Sequence, residues 1–136
     1  MRILALDYGT KKCGLAVTDP LQLIATPLET VPTHQLYEWL ADYLSREEVS
    51  DLVIGEPLTG GGGENPIQTE ILGFERKIAK LYPQMTLHRQ DEFGTSVRAR
   101  QSMLEMGMKK KRRRDKSEVD RLAAAIILQD FLEQRR

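Results

Sequence analysis

Asp51-Leu52-Val53-Ile54-Gly55 constrains the fold of this chain more than any other segment. It is a short, continuous apolar run between a helical pattern and a turn. The strand it predicts has no polar face to offer water and must be covered on both sides. Helices on both faces of a sheet follow from that. Arg2 to Leu6 is too short for a helix and ends at Asp7-Tyr8-Gly9-Thr10, where Gly9 and the following Lys11-Lys12 predict a turn. Gly14 to Thr18, closed by Asp19-Pro20, pairs with it as a β-hairpin. Leu23 to Val31, broken by Pro27 and bounded by Pro32, suits an edge strand, and Met85 to His88 is the last strand.

Helical patterns fill the gaps. Thr33 suits an N-cap for a helix with Leu36, Trp39, Leu40, Tyr43 and Leu44 on one face. Asn65 and Pro66 open a second helix, whose Ile67, Ile71, Phe74, Ile78 and Leu81 recur every three or four residues as far as Pro83. A third runs from Thr95-Ser96 to about Met106 and stops at Gly107. Asp115 and Glu118 form a capping box for a mostly apolar last helix through Val119, Leu122 to Leu128, Phe131 and Leu132. The expected fold is α/β: a five-stranded mixed sheet, its first three strands antiparallel and its last two joined by crossovers.

Residues 1–136 are enough for one domain and leave little room for a second. No apolar run approaches the roughly 20 residues of a membrane span, and Asp7 interrupts the N-terminal stretch before a signal-peptide pattern develops. The lone Cys13 has no disulfide partner and no ligands at zinc spacing, so the expected compartment is the reducing cytoplasm. The formal charge of zero conceals a segregation. Lys109 to Lys116 reads KKKRRRDK, seven basic residues and one acid, against thirteen basic and nineteen acidic residues elsewhere. Such a block is either a solvated loop or a site for a polyanion.

Three acids sit where a carboxylate is costly or conspicuous. Asp7 ends an apolar strand and Glu92 lies just past another. Asp120 lies beyond the first turn of its helix, with Ala124 and Ile127 at i+4 and i+7, which puts it on a core-facing stripe. If they converge, their mutual repulsion calls for a divalent cation, and oxygen ligands without His or Cys point to Mg²⁺ or Mn²⁺. Read singly, Asp7 is equally a turn-initiating residue and Asp91-Glu92 a surface pair.

The ordered set Asp7-Tyr8-Gly9-Thr10-Lys11, Gly14-Leu15-Ala16-Val17, Gly55-Glu56-Pro57-Leu58, Asp91-Glu92 with Thr95-Ser96, and Val119-Asp120 leading to Ala124-Ala125-Ile126-Ile127-Leu128 resembles the YqgF family. These are Holliday-junction-resolvase-like proteins regarded as pre-16S rRNA nucleases. The resemblance spans nearly the whole chain and implies a ribonuclease H-like fold with Asp7, Glu92 and Asp120 as catalytic metal ligands. Phe93 and Gly94 stand where that family usually has an Arg, and Glu56 stands where it has an uncharged residue, which makes Glu56 a candidate fourth carboxylate.

The implied activity is metal-assisted phosphodiester hydrolysis at the 5′ end of pre-16S rRNA. Alternatives are a resolvase of branched DNA or a non-catalytic ribosome-assembly factor that binds nucleic acid or ribosomal particles. Lys11, Arg98, Arg100, Lys109, Lys110, Lys111, Arg112, Arg113, Arg114 and Lys116 are the candidate phosphate contacts. A resolvase implies a homodimer, whereas an RNA trimmer can act as a monomer. Asp-x-Gly-Thr also occurs as a phosphate-binding signature in the actin and sugar-kinase superfamily, but those enzymes hold ATP between two domains and this length supplies one.

Overall fold

The computed structural model describes residues 1–56, 66–91, 95–105, 107 and 116–135, apart from the side chains of 95–97, 100, 116 and 117. In chain order come strands β1 (Arg2–Asp7), β2 (Lys12–Thr18) and β3 (Ala25–Pro32), helix α1 (Leu36–Arg46), strand β4 (Val49–Glu56), helix α2 (Pro66–Leu81), strand β5 (Thr86–Asp91) and helices α3 (Thr95–Glu105) and α4 (Lys116–Arg135). They form one sheet in the order β3-β2-β1-β4-β5. The hairpin pairs are antiparallel, while β1–β4 and β4–β5 are parallel. β3 is an edge strand, as Pro27 and Pro32 require.

Side-chain alternation sorts the sheet into two faces. Leu4, Leu6, Cys13, Leu15, Val17, Leu52 and Ile54 face α1 and α2, where they meet Leu36, Leu40, Tyr43, Ile71, Phe74 and Ile78. Ile3, Ala5, Ala16 and Val53 face α4 and meet Ala124, Ala125, Ile127, Leu128, Phe131 and Leu132. Val53 and its neighbours Leu52 and Ile54 are fully buried, so the central strand is covered on both sides. α3 packs outside α4 through Ala99 and Met103 against Val119 and Ala123. No helix among the described residues is long and apolar enough to cross a membrane.

Several local expectations shift. Thr33 does not cap a helix: Thr33–Gln35 is a 3₁₀ turn, and neither it nor α1 has a side-chain cap. The Thr33 hydroxyl donates instead to the Gly9 carbonyl at 2.7 Å. Leu81 is 53% exposed because α2 ends there, past the edge of the core. β5 runs three residues beyond His88, to Asp91. The polar residues past His88 hid this, although Arg89 binds Glu75 and Gln90 is 6% exposed. The proposed caps Asn65 and Asp115 lie outside the described residues; Glu118 forms an ion pair with Arg121.

Candidate active site

β1 delivers Asp7 to its end with the parity of Ile3 and Ala5, the residues that face α4. The chain then turns back through Tyr8 to Lys11. A Cβ on Gly9 would lie 2.3 Å from the Lys12 carbonyl oxygen, so a side chain there would prevent this turn. Thr33 fastens the turn from the opposite side, its hydroxyl on the Gly9 carbonyl and its amide donating to the Lys11 carbonyl at 2.9 Å. Asp7, Tyr8, Gly9, Thr10, Lys11 and Lys12 thereby make one wall of a cleft of about 480 Å³, which Ile67 of α2 and Asp120 of α4 complete.

Asp7 and Asp120, distant in sequence, therefore open into one space, and both are half-buried. Both charges also reach Cys13. Burial pushes its thiol up, and Asp7 and Asp120 add to that push against the Thr33 and Gly9 hydrogen bonds. A buried, protonated thiol is neither a nucleophile nor a soft metal ligand. The Tyr8 phenol is pushed up to about 12, chiefly by burial and then by Glu70, so it stays neutral on the cleft wall.

The remaining sequence candidates separate. Lys11 lines the cleft and is exposed. Glu56 has the parity of Leu52 and Ile54 and so points to the α2 face, away from that of Asp7. There Arg89 donates to it at 3.2 Å, as it also does to Gln68 at 3.0 Å and to Glu75. Arg98 forms a two-pronged bond to Asp130, at 2.8 and 3.0 Å, fastening α3 to α4. Asp130 is ten residues along α4 from Asp120, about 15 Å away at helical rise. Glu92 and Lys109 to Arg114 lie outside the described residues, as do the side chains of Arg100 and Lys116. Among the described residues, no three His, Cys, Asp or Glu side chains gather into a metal-sized group.

The sequence reading named Lys12, Tyr8, Ile67, Thr33 and Gly14 but gave none of them a role at the site. Tyr8 and Ile67 carry no charge to mark them, and the role of Thr33 depends on a tertiary contact. Gly14 pairs with Asp7 across the β1–β2 ladder and lies under the backbone of α4 at Asp120.

Comparison with known proteins gives the family and the fold. The family model described as RuvX, Holliday junction resolvase, matches residues 1–134. A relative in Flavobacterium johnsoniae is 43% identical over 135 residues, covering 99% of this chain and 98% of that protein. Another in Christiangramia forsetii is 47% identical over 131 residues, covering 96% and 97%. Both bear the name "Putative pre-16S rRNA nuclease". Among solved structures, Thermus thermophilus RuvC in complex with Holliday junction substrate matches with a TM-score of 0.61 at 17% identity, over 99% of this chain and 96% of that one. The fold is thus that of RuvC, ribonuclease H-like.

Proposed function

Because the chain belongs to the RuvX family of Holliday junction resolvases, we propose that residues 1–136 form one metal-dependent nuclease domain that trims the 5′ end of pre-16S rRNA in the cytoplasm. The observation that carries this reading is the convergence of Asp7 and Asp120 on one cleft. Two carboxylates facing a shared space repel each other, and a hard cation between them offsets that repulsion. The donor set fits Mg²⁺ or Mn²⁺: carboxylate oxygens, with the one nearby sulfur buried and protonated. Asp7, Asp120 and Glu92 would hold the metal. The assignment of Glu92 rests on the family resemblance.

When bound, two such ions supply an activated water and stabilise the departing 3′ oxygen. The protein's own groups do the rest. Lys11 and Lys12, exposed on the cleft wall, engage the phosphate being cut and its neighbour. Tyr8 and Ile67 give the cleft an apolar wall beside the carboxylates. Arg100, Lys109 to Arg114 and Lys116 would neutralise the phosphate backbone without reading sequence. Arg98, held by Asp130, is left out of that set.

The competing substrate is branched DNA, favoured by the family description and by the junction-bound RuvC neighbour. Both polymers present the same phosphates, so a direct contest decides. The purified chain is sized in solution, then offered labelled precursor rRNA, single strands and four-way junctions with Mg²⁺, Mn²⁺ or chelator. Metal-dependent cutting of the precursor is the expected result. Paired cuts in the junction by a dimer would make it a resolvase, and binding to RNA or ribosomal particles with no cut would make it an assembly factor.

A further inference from the structure

We propose that Gly14 is a positioning residue for the metal ligands: the backbone of α4 rests directly on it, and this seat sets the reach of Asp120 toward Asp7. The proposal rests on the nuclease reading above and adds a residue to it. Gly14 is buried in β2 and is the cross-strand partner of Asp7. A Cβ placed on it would lie 2.1 Å from the Asp120 carbonyl oxygen, 2.4 Å from its carbonyl carbon and 2.9 Å from the Arg121 nitrogen. All three are backbone atoms of a helix, so no side chain can swing aside to relieve the overlap. The helix would have to retreat by about 1 Å or more to restore ordinary contact distances.

The small residues around the seat serve the same approach. Ala5 and Ala16 on the sheet meet Ala124 on the helix, all fully buried, so the two backbones stay close beyond the point of contact. Ligand geometry is sensitive on this scale: a shift of about 1 Å can cost a hundredfold in rate, and changes to groups that orient ligands typically cost about 10–100-fold in metal affinity.

The test compares the full-length wild type with Gly14→Ala, Asp120→Glu and the double variant. Mn²⁺ binding is measured by calorimetry, single-turnover cleavage gives the rate, and circular dichroism checks folding. Gly14→Ala should bind Mn²⁺ at least about tenfold more weakly and cut about a hundredfold more slowly, with the KM for nucleic acid unchanged. Adding Asp120→Glu, which extends the carboxylate by about 1.5 Å, should recover much of both losses. Wild-type Mn²⁺ affinity and rate in Gly14→Ala would overturn the proposal, as would failure of the longer acid to rescue it. If Gly14→Ala does not fold, Asp120→Glu alone decides. A fixed seat leaves no room for the extra methylene and weakens Mn²⁺ binding, whereas unchanged binding and rate mean that α4 adjusts freely and the proposal falls. A wild type that neither binds Mn²⁺ nor cuts sinks the nuclease reading and this proposal together, and is recognised because all four proteins then behave alike.

Discussion

Beside the acids, the two faces of the sheet are built from different sizes of residue, although further along α4 Ile3 and Val53 meet Ile127, Leu128, Phe131 and Leu132. Against α1 and α2 the strands present Leu4, Leu6, Leu15, Leu52 and Ile54 to Leu40, Ile71, Phe74 and Ile78. Against the N-terminal half of α4 they present Ala5, Gly14 and Ala16 to Ala124 and to the Asp120 backbone. Each large aliphatic side chain buried on the first face contributes about 1.5–3 kcal/mol, whereas the small contacts on the second bury far less. The second face obtains proximity instead. A helix held off by leucines at this point could not bring Asp120 into the cleft of Asp7, so the close approach is confined to the small residues at the N-terminal half of α4.

That division can be broken by experiment. Asp7→Asn, on the α4 face, should reduce cleavage to the level of the no-enzyme control while RNA binding holds or tightens, since a metal ligand and a negative charge are lost together. Gel-shift and cleavage assays on the same preparation check this, and retained turnover would remove Asp7 from the site. Ile78→Ala, fully buried under the other face, should cost about 2–5 kcal/mol in urea denaturation yet leave the rate near wild type at temperatures where the variant is folded. A loss of rate without loss of stability would merge the two roles.

Smaller effects sharpen the charge assignments. Neutralising Lys110, Arg112 and Arg113 together should reduce the slope of log affinity against log salt by about 2, if each meets one phosphate of a single strand. An unaltered slope would mean that the block is solvated and idle. Arg98→Ala should cost no more than about 1 kcal/mol of stability, because its pair with Asp130 is half exposed, and should leave that slope unchanged. A reduced slope would return Arg98 to the nucleic-acid surface.

Much of this was legible before any coordinates. The doubly covered strand at Leu52 to Ile54, the edge strand with its prolines, the order of elements and the core stripe of the last helix follow from hydrophobic period and turn chemistry. The signals that failed were polar residues satisfied from far along the chain. Thr33 looked like a cap although its hydroxyl bonds Gly9, β5 looked shorter because Arg89 and Gln90 are polar yet held by Glu75 and by burial, and Arg98 looked available although Asp130 holds it. Glu56 was a candidate fourth carboxylate through the family resemblance, but its parity turns it to the other face.

The sequence by itself therefore determined the layers, the strand pairing and the candidacy of Asp7 and Asp120, because period and burial are local properties written into neighbouring residues. Only the tertiary structure decided which of the described groups share a space. That depended on the direction in which each strand end points and on how closely α4 could approach, and the approach is governed by one missing side chain at Gly14 that no periodic pattern distinguishes from an ordinary strand glycine.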